Sequence, residues 1–92
     1  MKPYTRKVAA AAILDTTSGL IYTMKRPARH HDIIQAIAKA GVDPKGPHWE
    51  QGFTTSDGLF ATRKAAAHCA RRSGQLEVIP RPAHGLFSED LW

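Results

Sequence analysis

Two clusters of turn-forming residues, Asp15-Thr16-Thr17-Ser18-Gly19 and Ser56-Asp57-Gly58, divide this chain in a way that leaves few folds open to it. Each lies between short runs rich in strand formers: residues 7–14 and 20–24 around the first, residues 53–55 and 59–61 around the second. Turn residues flanked in this way specify antiparallel hairpins, the first with the longer loop. A segment with helical patterning follows each hairpin. In the first, Ile33, Ile34, Ile37 and Ala38 fall on one face, and Gly41 stands where a helix ends, so a helix is predicted over residues 30–40. Pro27 ends the preceding strand and can occupy the first helical turn, where its missing N–H costs nothing. In the second, Thr62 is a good N-cap, Ala65, Ala66, Cys69 and Ala70 form the apolar side, and Gly74 closes a helix over residues 63–73. Residues 76–79 read as a further strand, and Ser88 could cap one helical turn that runs to Trp92. The order ββα–ββα–β predicts an α+β fold: one domain, 1–92, with a small antiparallel β-sheet and two α-helices packed on one face. The two halves match in outline, but their residues do not align as a repeat.

Ninety-two residues can bury one modest core. The lone Cys69 forms no internal disulfide and sits in a helical, alanine-rich setting, which fits a reducing compartment. No apolar run approaches the roughly 20 residues that span a bilayer. The alanine run after Met1-Lys2 imitates a signal peptide but is ended too early by Asp15 and Thr16. A soluble, cytoplasmic protein with no membrane partner is expected. Lys and Arg number 13 against 8 Asp and Glu, a formal charge of +5. For so small a domain that excess favours an anionic partner: nucleic acid, a nucleoprotein or an acidic protein face.

The cations are not evenly spread. Lys25, Arg26, Arg29, His30 and His31 crowd the start of the first helix, where free backbone N–H groups and the macrodipole already disfavour positive charge. Asp32 offsets part of it. On the second helix Lys64, His68, Arg71 and Arg72 fall at i, i+4, i+7 and i+8, opposite the alanine side, with Arg63 at the upper edge. These ten residues are the expected partner- or phosphate-binding set, since arginine suits bidentate phosphate contacts. Metal chemistry finds little footing. His30 and His31 are adjacent and point apart, His48, His68 and His84 are scattered, and one cysteine makes no CxxC pair, so neither metal nor cofactor is expected. Gly-rich phosphate loops, nucleophile elbows and paired carboxylates are missing from the sequence. An acid–base site would need His31, His48 and Glu50 to meet in space. The expectation is therefore a protein that is not an enzyme. The closing Ser88-Glu89-Asp90-Leu91-Trp92 is read as a tail that pins Leu91 and Trp92 on the sheet and leaves its acids solvated, in preference to an acidic docking peptide.

Three segments carry a resemblance: Arg26-Pro27-Ala28-Arg29-His30-His31 continuing to Ile33-Ile34; Gln51-Gly52-Phe53 continuing through Gly58, Phe60 and Arg63 to Gly74-Gln75; and Leu86-Phe87-Ser88-Glu89-Asp90-Leu91-Trp92. Together they resemble a group of small phage and prophage proteins, over most of the chain after residue 24. In length and charge the chain is also similar to phage anti-CRISPR proteins that act on type I-F surveillance complexes. That likeness implies a stoichiometric inhibitor docked on a complex that bears crRNA, blocking its target DNA without catalysis. Rival expectations are a small nucleic-acid-binding phage regulator and a hydrolase or nuclease that depends on its histidines.

Overall fold

The longest strand is also the poorest in large side chains. In the computed structural model, which describes residues 6–43, 48–79 and 85–92, β1 (Val8–Asp15) carries four consecutive alanines. Alanine favours helix, yet here it fills the middle of a sheet, because its small side chains let neighbouring layers approach closely. β1 pairs antiparallel with β2 (Ile21–Thr23) on one side and with β3 (Trp49–Thr55) on the other; β3 pairs in turn with β4 (Phe60–Thr62). The order is β2-β1-β3-β4, two hairpins laid side by side.

Alternation along the strands sorts the two faces. Ala11, Phe53 and Ala61 stand in register across three strands, a large ring between two small residues, and all three are buried. Against this face pack α1 (His30–Lys39) through Ile33 and Ile37, and α2 (Arg63–Ser73) through Ala66, Ala67, Cys69 and Ala70. The fold is thus α+β, with both helices against the antiparallel sheet. On the other face Gly52 lies under the Phe60 ring: a methyl group at 52 would come within 2.5 Å of Phe60 Cζ and 2.2 Å of the Ala61 carbonyl oxygen. Glycine is required there by space.

Several boundaries differ from expectation. α2 begins and ends where the sequence placed it, with Thr62 Oγ1 accepting the Ala65 N–H at 3.2 Å and Gly74 in the left-handed region. Its buried side includes Ala67 and leaves Ala65 exposed, a rotation of the apolar stripe by part of a turn. In α1, Ala38 is exposed. Pro27 does not enter that helix: it lies in a turn closed by the Ala28 N–H on the Lys25 carbonyl, and Arg29 takes the N-cap position. The strand expected over residues 76–79 is not formed. The Gln75 side-chain amide satisfies both the N–H and the carbonyl of Val8, at 2.8 and 3.0 Å, so backbone groups that another strand could use are already occupied. Leu76 and Ile79 still contribute side chains to the core edge. Near the end of the chain, Leu86 is fully buried and Ser88–Asp90 forms a single 3-10 turn. His84, one of the scattered histidines, lies outside the described residues.

Candidate anion-binding cleft

Three stretches far apart in sequence meet where the two helices begin. The first turn of α1 brings Arg29, His30 and His31; β3 and the start of α2 bring Gln51 and Arg63; residues 87–89 bring Phe87, Ser88 and Glu89. With Ile34 they line an open cleft of about 370 Å³.

Arg63 ties two of these stretches together. Its Nη1 donates to the Leu86 carbonyl at 2.9 Å, its own carbonyl accepts the Leu86 N–H at 2.9 Å, and its Nη2 donates to Gln51 Oε1. The guanidinium also lies 4.8 Å above the Phe87 ring centroid. The chain crosses here so closely that a Cβ on Gly85, already at φ +84°, would sit 2.5 Å from the Arg63 carbonyl carbon. Burial pulls the Arg63 guanidinium below the ordinary arginine value, while the charges of Glu89 and Asp90 pull the other way. It stays charged at neutral pH.

Arg29 ties in the end of the chain. Its Nη2 donates to the Trp92 backbone oxygen, and the Trp92 indole N–H donates to the Ala28 carbonyl at 3.1 Å. Arg26 stacks 5.1 Å over the same indole, whose other contact is edge-on to Phe53. Asp32 offsets the junction as its sequence position suggests: one carboxylate oxygen accepts the Arg29 N–H at 2.8 Å, and the other lies 3.3 Å from His31 Nε2. Apart from that contact and Arg6–Asp57, no ion pair within 4 Å is found among the described residues. Arg29 and Arg63 therefore face the cleft with backbone and amide partners and no Asp or Glu ion pair within 4 Å, Glu89 and Asp90 acting on Arg63 from farther away. A guanidinium has five N–H donors, so each keeps donors beyond those bonds.

His30 and His31 do point apart. His30 is buried, packs edge-on against Phe53 and is held through Nε2 to the Gly52 carbonyl at 2.7 Å. Burial lowers its pKa, and the Arg63 charge adds to the effect, so the ring is neutral and donates that proton. His31 is exposed, its side chain 70 % accessible at the cleft rim.

The remaining cations are placed differently. Lys25 and Lys64 are exposed; Lys64 borders a shallower depression with Glu50, Gln51, Thr62 and Arg63. His68, Arg71 and Arg72 are exposed on α2 and do not line the cleft. The expected surface thus divides. Arg29, His30, His31 and Arg63 come together, Arg26 braces Trp92 beside them, and the far part of α2 stands apart. His48 stacks on Trp49, and neither it nor Glu50 lines the cleft, so the triad that an acid–base site would need does not assemble there. No group of three His, Cys, Asp or Glu side chains able to hold a metal ion is present among the described residues. Gln51, Ile34, Phe87, Ser88 and Glu89 were not expected in a site. Their signal was their place in the three segments quoted above, since each of those segments supplies part of the cleft wall.

Fold and cleft together define a small α+β protein with an arginine-lined recess built by both helix starts. The chain belongs to the phage T4 y16D protein family, whose model matches residues 6–92. No curated protein and no solved structure matches it. Among the described residues, no helix is long and apolar enough to cross a membrane.

Proposed function

We propose that this phage protein is a non-catalytic inhibitor in the host cytoplasm, which binds a host nucleoprotein by taking an anionic group into the cleft. The observation that carries the proposal is the convergence of the Arg29 and Arg63 guanidinium groups on one recess, neither of them ion-paired to an Asp or Glu side chain within 4 Å among the described residues. Half-buried arginines held in fixed positions by backbone carbonyls are preorganised for bidentate recognition of phosphate or carboxylate. Membership of a phage family supports an action on host machinery. A crRNA-guided surveillance complex is the proposed target; that choice rests on size and charge, whereas the cleft specifies the anionic group.

The test is titration of a purified crRNA-guided surveillance complex with the protein while target-DNA binding is followed. One-to-one loss of DNA binding is expected, with Arg63→Gln weakening the effect by roughly tenfold or more, as for loss of a charged hydrogen-bonding group. DNA binding that persists in excess protein would remove this target. Loss at substoichiometric amounts would indicate turnover and overturn the non-catalytic part. Reversing the charge of Arg26 or Arg29 would release Trp92, and Arg63→Gln gives up bonds to Leu86 and Gln51, so retention of the fold is checked by circular dichroism before the titration.

A further inference from the structure

We infer that the cleft reads one ribonucleotide unit, with the phosphate between Arg29, Arg63 and His31 and a ribose hydroxyl on Glu89. This deepens the nucleoprotein proposal, and rests on it, by assigning the contact to a ribonucleotide.

Size limits the ligand first. About 370 Å³ lies at the lower end of small-molecule sites and accommodates a single nucleotide-sized unit. His68, Arg71 and Arg72 lie outside the lining, so the cleft does not continue into a basic track along α2 that would follow several phosphates.

Charge layout limits it further. A recess built for any anion would be cationic throughout, yet here Glu89 shares the wall with Arg29 and Arg63. Its carboxylate is exposed, and one oxygen, Oε1, accepts the Ser88 hydroxyl at 3.1 Å. An ionised carboxylate only accepts hydrogen bonds. Free phosphate, or an acidic protein side chain, would bring lone pairs and negative charge against it. A phosphate ester with a hydroxyl a few ångströms from its anionic end converts that repulsion into a charge-assisted hydrogen bond. Ribose supplies this hydroxyl beside the phosphate. Acceptance of a ribose hydroxyl by an acidic side chain is how nucleotide sites recognise the sugar, and the 2′-hydroxyl is what separates RNA from DNA at a given site. Ile34 provides an apolar wall for the base. Buried, neutral His30 adds no charge to this balance.

The chemistry could be presented by a free nucleotide or by a residue of an RNA strand, and the experiment separates the two. Isothermal titration would use adenosine 5′-monophosphate, its 2′-deoxy counterpart, inorganic phosphate, and five-residue oligonucleotides of RNA and DNA. Ribonucleotides are expected to bind at least about tenfold more tightly than deoxyribonucleotides, the scale of one hydrogen bond to a charged group. Tighter binding of the RNA pentamer than of the monophosphate assigns the site to an RNA strand, and the reverse order to a free nucleotide. Glu89 is exposed, so Glu89→Gln should keep the fold, checked by circular dichroism and melting temperature, while bringing the ribo and deoxy ligands to within about threefold. Equal affinity of the wild type for ribo and deoxy ligands would overturn the inference, as would discrimination that survives Glu89→Gln. If Arg63-dependent binding to the surveillance complex persists while that discrimination is missing, the ribonucleotide assignment falls and the anion-binding proposal stands. Surveillance-complex binding that is unchanged by Arg63→Gln removes both.

Discussion

Arg63 and Arg72 lie on the same helix, two and a half turns apart, and share almost nothing else. Arg63 is half-buried, bonded to Leu86 and Gln51, stacked on Phe87 and directed with Arg29 into a recess. Arg72, with Arg71 and His68, stands in solvent. In the sequence all of these looked like one basic surface. The difference teaches that charge alone does not mark a site: the residues to weigh are cations that the fold has partly desolvated and left without a close ion pair. A solvated cation loses little when its partner is absent. A half-buried one is costly to hold unpaired, and that cost argues for a ligand.

The position of Arg63 depends most on Leu86. Leu86 is fully buried and bonded at both backbone ends to Arg63. Leu86→Ala should cost about 2–5 kcal/mol in urea unfolding, as buried leucine truncations do, and should loosen the cleft wall. A loss below about 1 kcal/mol would mean that residues 85–92 are not part of the folded core. Next comes Arg63→Gln, which gives up its bonds to Leu86 and Gln51 and should cost about 1–3 kcal/mol by the same measurement. Acid sharpens the comparison at His30. Its folded pKa lies below the ordinary 6.5, so the unfolded chain takes up the proton first. Stability should be full above about pH 6.5 and should decline as the pH falls from there through the lower folded value. His30→Gln should flatten that part of the pH profile, and an unchanged slope would show that His30 is not the group responsible. The smallest effect belongs to the solvated end: Arg71→Gln with Arg72→Gln should alter stability by no more than about 0.5 kcal/mol.

The hairpins, both helices, the Thr62 cap and the Gly74 stop were legible because each depends on local chemistry: turn residues, apolar spacing, an N-cap hydroxyl, a left-handed glycine. The expected strand at 76–79 failed for a long-range reason. Nothing local to Leu76 shows that the Gln75 amide will satisfy the backbone of Val8, 67 residues away. The site divided in the same way. Arg29, His31 and Arg63 stood out by charge, and Trp92 was expected to anchor the chain end, as it does against Phe53 and Ala28. Glu89 was read as part of a tail and Phe87 was given no role, because only the crossing at Gly85 brings them to the start of α2. The three segments that carried the resemblance to phage proteins held the missing information, since their meeting is what forms the cleft.

On the proposed function, binding belongs to the recess and not to the basic stripe of α2. Two-dimensional NMR of the labelled protein, titrated with a ribonucleoside 5′-monophosphate, tests it most directly. The amide signals of Arg29, His31, Gln51, Arg63 and Glu89 should shift together and saturate along one curve, while those of His68, Arg71 and Arg72 stay in place. Shifts centred on His68, Arg71 and Arg72, with the cleft residues unmoved, would contradict it.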